Sequence, residues 1–192
     1  MEFYDVVKKR KSIKKFEQET IERDKLLKII DMAMRAPSWK NMAPYKFIIV
    51  ESENIKQDIA NAIENRTSAA AESIINSPMT IVAVADPDAS GDVNGKEMYL
   101  IDTAIAMEHL VLGATDVGYG TCWIAAFDEN KVKETLKIPQ NLRVVALTPL
   151  GIPTSSAEEE PHNPKKDIND YLYLDKWDRH YMDSNVKVLI NH

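Results

Sequence analysis

Apolar residues recur at helical spacing through the first third of the chain. Phe3, Val6 and Val7 share one face of a short helix over residues 2–10, and Lys8, Lys9 and Arg10 fill its last turn, where cations suit the helix dipole. Over residues 22–35, Leu26, Leu27, Ile30, Ala33 and Met34 form a stripe, with Lys25, Lys28 and Asp31 lying away from it. Pro37 ends that helix, and residues 36–44 read as a loop with two prolines and a large aromatic. Ile55, Ile59 and Ile63 predict a further helix after Ser52, a possible N-cap, and residues 69–75 a shorter one.

Strands are marked by a different texture. Residues 45–50 are β-branched and aromatic, residues 80–85 are almost wholly apolar as in a strand covered on both faces, and residues 142–150 form a third run. Residues 86–92 have the composition of a surface loop. The longest helical pattern spans residues 95–117. Leu100, Ile101, Ala104, Ile105, Met107, Leu110, Val111 and Ala114 cover most of its circumference, so it is expected to be buried on nearly all sides and to suit a subunit interface. Gly118 fits its C-terminal cap. Residues 120–127 read as a short strand or extended segment, and Asp128 can cap a helix over residues 129–136. Residues 154–170 are polar and read as a long loop, after which Tyr171 to Leu174, Trp177 and Val186 to Ile190 restore apolar character suited to packing on a partner chain.

Composition narrows the function. The 192 residues suffice for one domain with a sizeable core, and 44% apolar with 28% charged residues is ordinary for a soluble globular protein. A net charge of −6 argues against general nucleic-acid binding. The first residues lack the apolar run of a signal peptide and no stretch is long enough for a bilayer span, so a cytoplasmic, membrane-free protein is expected. The single cysteine, Cys122, fits a reducing compartment and reads as a small buried thiol more readily than as a nucleophile. The four histidines show no metal-ligand spacing, and no metal site is expected.

Against this acidic background, Arg10-Lys11-Ser12-Ile13-Lys14-Lys15-Phe16 stands out: four cations and a hydroxyl in seven residues. Helix-end electrostatics accounts for Arg10 but not for basic residues continuing to Lys15. The remaining cations call for an anion.

Four segments, in order, make the chain resemble the flavin-dependent nitroreductase family. Arg10 to Phe16 is similar to that family's Arg-Arg-Ser-x-Arg-x-Phe, and Ala36-Pro37-Ser38-Trp39-Lys40-Asn41-Met42-Ala43-Pro44-Tyr45 to its Ala-Pro-Ser-x-x-Asn-x-Gln-Pro-Trp. Gly118-Tyr119-Gly120-Thr121-Cys122-Trp123-Ile124-Ala125-Ala126-Phe127 is similar to Gly-x-Gly-Thr-x-Trp-x-Gly-Gly-Phe, and Leu150-Gly151-Ile152-Pro153 with Pro164-Lys165-Lys166 to Leu-Gly-Tyr-Pro and Pro-Arg-Lys.

The resemblance implies an α+β, three-layer fold with a mainly antiparallel sheet between helices, in an intertwined homodimer. Residues 1–170 would form the FMN-binding domain and residues 171–192 an extension packed on the partner subunit. It implies one FMN per subunit at the interface. NADH or NADPH would supply electrons to nitro, quinone or similar small-molecule acceptors in two half-reactions, with no catalytic side chain because the flavin carries the chemistry. Arg10, Lys11, Ser12, Lys165 and Lys166 would hold the phosphate, and Lys14 would sit by the N1/O2 edge of the ring. Pro37, Ser38, Trp39 and Asn41 would come from the other subunit, with Trp39 stacking near the flavin, lining the substrate pocket or anchoring structure. Ala125 and Ala126 would offer backbone N–H groups to flavin N5. Asn65 or Arg66 would replace the polar contact that is missing from Ala69, Ala70 and Ala71. Two alternatives remain: a flavin-sequestering protein with little turnover, and a specialised dehalogenase-like reductase of the same fold.

Overall fold

Met79–Ala85 is the strand around which the sheet forms: all seven residues are buried, and each side of the strand is paired. The computed structural model describes residues 1–159 and 166–181, in two units, Met1–Glu160 and Pro161–His192. In chain order the first unit contains α1 (Phe3–Lys9), α2 (Arg23–Met34), β1 (Tyr45–Val50), α3 (Glu53–Ala60), α4 (Ala69–Asn76), β2 (Met79–Ala85) and α5 (Pro87–Ser90). There follow β3 (Asp92–Val93), β4 (Lys96–Glu97), α6 (Met98–Asp116), β5 (Gly120–Thr121), α7 (Glu129–Leu136), β6 (Arg143–Gly151) and α8 (Ser155–Glu159).

The main sheet has the order β1-β2-β6-β5, with every pair antiparallel. Alternation along β2 builds both cores. Ile81 and Ala83 face Ile29 and Ala33 of α2 and Met107 and Leu110 of α6, while Val82 and Val84 face Ile59 of α3, Ile74 of α4 and Val132 of α7. Helices therefore cover both faces, giving the expected three-layer α+β arrangement. In β6 the register slips between Ala83↔Ala146 and Val84↔Val144, which leaves Val145 as an extra residue and turns Val144 and Leu147 to the same core.

α6 ends as its sequence predicts. Gly118 has φ 88°, its N–H donates to the Thr115 carbonyl, and the Tyr119 N–H donates to the Ala114 carbonyl at 2.8 Å. This double closure needs a left-handed residue at Gly118. Asp128 caps α7 by accepting from the N–H groups of Asn130 and Lys131. Other expectations are corrected. Residues 86–92 are not simply a loop: Asp86 caps the short α5, and residues 92–97 form a hairpin whose Asn94 and Gly95 turn has φ 55° and 77°, so α6 begins at Met98. Ile63 lies beyond α3 because it pairs with Phe127; Ser52 does stand at the N-cap of α3, without a side-chain cap bond. α6 is not buried all round, since Leu100 and Ile101 are exposed. The polar stretch after residue 153 contains α8.

In the second unit, Tyr173 bridges His180 and packs on the Trp177 ring at 4.8 Å. The Leu174 N–H donates to the Arg179 carbonyl, closing a small hairpin. The apolar run 186–190 lies outside the described residues.

Candidate cofactor site

The basic segment is seated by its apolar residues. After α1, Ser12 pairs in parallel with Thr121, the Ile13 N–H donates to the Thr121 carbonyl at 2.8 Å, and Phe16 pairs with Pro153. Ile13 and Phe16 are buried, which leaves Ser12, Lys14 and Lys15 exposed along the edge of the sheet beyond β5. Arg10 closes α1 and stands near Glu108 of α6. Desolvation pushes the Glu108 carboxyl pKa up, opposed by the charges of Arg10 and His109.

Ser12 and Lys14 also flank Cys122. Burial pushes the Cys122 thiol up, opposed by the Lys14 charge and by a hydrogen bond with Ser12. A buried, protonated thiol is a poor nucleophile, in line with a packing role.

The next residues complete an open backbone ledge. Ile124 exchanges hydrogen bonds with Leu147 at 2.9 Å, and the Ala126 carbonyl accepts from the Glu64 N–H at 2.9 Å. Among the described residues, no acceptor takes the N–H of Ala125 or Ala126, and both alanines are exposed. Neither has positive φ, so alanine holds this backbone without the strain that a glycine would relieve. The Glu64–Ala126 bond also brings exposed Asn65 and Arg66 to this ledge.

The loop after α2 is built differently. Lys40, Asn41 and Ala43 have φ 49°, 58° and 44°, three left-handed residues without glycine around a right-handed Met42, each costing about 1 kcal/mol or more. Ser38 Oγ accepts from the Ala43 N–H at 2.9 Å, and Asp102 Oδ1 of α6 accepts from the Trp39 N–H at 2.7 Å. Trp39 is half-buried, with the Lys40 ammonium 5.6 Å from its ring centre, while Pro37 and Asn41 are exposed.

Within one chain, Ser12 is thus paired with Thr121 and flanks Cys122 together with Lys14, on the segment that continues to Ala125 and Ala126. The 37–41 loop is tied instead to Asp102, six residues and about 9 Å along α6 from Glu108. Lys166 lies in the second unit, its ammonium 5.2 Å from the Tyr171 ring centre, and Lys165 lies outside the described residues. Asp102 was not apparent as a site residue from the sequence, although a carboxyl inside the apolar run from Tyr99 to Met107 is a signal of it. A separate groove of about 470 Å³, bordered by Met1, Phe3, Val6, Met32, His109 and Leu112, contains none of the predicted site residues. No helix among the described residues is long and apolar enough to cross a membrane.

This layered α+β fold, with a cationic edge beside an open backbone ledge, has known counterparts. The model of the Nitroreductase family matches residues 7–152, and the chain belongs to that family. It is 27% identical over 176 residues to a protein of Archaeoglobus fulgidus provisionally named NADH dehydrogenase/NAD(P)H nitroreductase, covering 88% of this chain and 94% of the relative. It is 23% identical to the iodotyrosine deiodinase of Thermotoga neapolitana, covering 83% and 93%. Among solved structures, a nitroreductase family protein of Clostridium novyi NT is 75% identical with a TM-score of 0.80, covering 97% of this chain and all of the other. An FMN-dependent nitroreductase of Clostridium difficile R20291 shares the fold at 24% identity with a TM-score of 0.74, covering 90% and 98%.

Proposed function

We propose that this oxidoreductase-family protein binds FMN and passes electrons from NADH or NADPH to nitro, quinone or similar acceptors, as a homodimer. The observation that supports the reading is the Ser12–Thr121 pairing, which joins the basic residues 10–14 to the segment that runs on to the unclaimed N–H groups of Ala125 and Ala126. That donor set fits a ligand with an anionic end and a hydrogen-bonding planar ring. Bound there, FMN would supply the hydride-transfer chemistry between a nicotinamide donor and the acceptor.

The chain's own residues bind and tune. Arg10, Lys11 and Ser12 hold the phosphate through charge-assisted hydrogen bonds, and family likeness adds Lys165 and Lys166. Lys14 supplies a fixed positive charge that favours negative charge on the reduced ring. The Ala125 and Ala126 N–H groups orient the ring, and Asn65 or Arg66 serves its pyrimidine edge. The partner's loop supplies Pro37, Ser38, Trp39 and Asn41. Dimerisation is supported by the exposed apolar side of α6 at Leu100 and Ile101.

Purified protein should be yellow or take up about one FMN per chain, the stoichiometry expected of a site formed by one basic segment. It should oxidise NADH steadily with menadione. A protein that takes up no FMN would overturn the reading, and one that binds FMN without turnover would indicate a sequestering role. The deiodinase relative makes iodotyrosine the substrate to test beside menadione; faster turnover of iodotyrosine would favour the dehalogenating alternative.

A further inference from the structure

The left-handed residues Lys40, Asn41 and Ala43 need support from outside the loop, and α6 provides it. Asp102 is 1% exposed. Its Oδ1 accepts from the Trp39 N–H at 2.7 Å, and its Oδ2 accepts from the Ser90 hydroxyl at 2.7 Å. No ion pair to Asp102 is formed among the described residues. A buried carboxyl with two hydrogen bonds and no cation is a poor choice for stability alone, because an apolar residue would fill the space without desolvating a polar group. What the carboxyl does that an apolar residue cannot is hold the Trp39 backbone from one oxygen while Ser90 fixes the other.

We propose that Asp102 is a positioning residue: through the Trp39 N–H it holds the Ser38–Ala43 loop in its left-handed shape, with Ser90 locking the carboxyl, so that Trp39 and Asn41 are presented ready-made to cofactor and acceptor. Contact with cofactor and acceptor rests on the proposed function; the holding of the loop does not. Strain kept at a non-glycine loop by a buried anchor is the arrangement expected where geometry serves binding.

The test uses the full chain and three variants: Asp102→Ala, Asp102→Asn and Ser90→Ala. Hydrogen exchange at the Trp39 amide, measured without FMN, reads the anchor. It should accelerate about tenfold or more in Asp102→Ala, less in Ser90→Ala, and stay within about threefold of wild type in Asp102→Asn, which keeps the Oδ1 acceptor. With FMN and NADH, the KM for menadione should rise about tenfold in Asp102→Ala while kcat changes little, and Asp102→Asn should recover most of the loss. Unchanged Trp39 exchange in Asp102→Ala overturns the proposal. So does an Asp102→Asn variant as impaired as Asp102→Ala, since that would mean the loss follows general destabilisation. If Asp102→Ala does not fold, Ser90→Ala and Asp102→Asn decide by the same readings: a Trp39 amide unaltered by Ser90→Ala overturns the lock. A wild type that binds no FMN defeats the functional reading, while the exchange measurement still decides the anchor.

Discussion

Gly120 and Ile13 meet without room for another atom between them: a Cβ at residue 120 would stand 2.7 Å from Ile13 Cγ1 and 2.8 Å from its Cβ and Cγ2. Ile13 is β-branched and stiff, and its N–H is already bound to Thr121. Gly120→Ala must therefore push the basic segment off the sheet edge. The expected result is a loss of about 1–3 kcal/mol in denaturant unfolding, together with weaker FMN binding. A variant of wild-type stability and flavin affinity would show that the two segments are not rigidly seated.

The cationic cluster makes a comparative prediction. Arg10→Ala should weaken FMN binding by about ten- to a hundredfold in a flavin-fluorescence titration, the scale of one charge-assisted hydrogen bond. Lys28→Ala, which removes a surface cation paired with Asp116, should leave the affinity unchanged. Equal flavin affinity in the two variants would detach Arg10 from the phosphate.

If α6 carries the subunit contact, a charge on its exposed apolar side should split the dimer. Ile101→Glu is expected to sediment as a monomer at micromolar concentration and to retain little FMN. Dimers that persist with full flavin content would place the interface elsewhere.

Glu129 predicts a pH effect. Burial pushes its carboxyl pKa up, but hydrogen bonds from Arg143, the Val144 N–H and Lys133 outweigh burial and leave it below the usual carboxylate value of 4.5. A folded-state value below the unfolded one means that this stabilisation is fully present above pH 4.5 and is lost as pH falls through the folded value. Glu129→Gln should cost about 1–2 kcal/mol at pH 7, with a smaller difference from wild type at pH 3. A difference that stays constant from pH 7 to pH 3 would rule out this linkage.

The sequence shows much of the fold because local and tertiary preferences agree. Tyr45–Val50 and Met79–Ala85 carry strand-forming residues where the sheet needs them, and Asp128 stands where α7 needs a cap. The hairpin before α6 was also open to reading, since Asn94–Gly95 is the residue pair that its turn favours. Other features leave no local mark. Ile63 continues the α3 stripe in sequence, but its backbone pairs with Phe127, a partner more than 60 residues away. The left-handed loop contains no glycine to announce it, and Asp102, though marked as a carboxyl in an apolar run, shows its partners only when the fold brings Trp39 and Ser90 to it. The basic segment was legible as a cluster of charges, whereas the ledge at Ala125–Ala126 depends on which N–H groups the finished sheet leaves unclaimed.

α6 behaves as a graduated rod. Asp102 meets the loop, Glu108 stands by Arg10, and Asp116 binds the amino terminus and Lys28. Each added residue would turn everything beyond it by about 100°. A one-residue insertion between Asp102 and Glu108 would therefore swing one of the two away from its partner, however well the helix itself formed. Two added turns, seven residues, nearly restore the angle but lengthen the rod by about 10 Å. Substitutions can vary along this helix, but its length between the two carboxyls cannot.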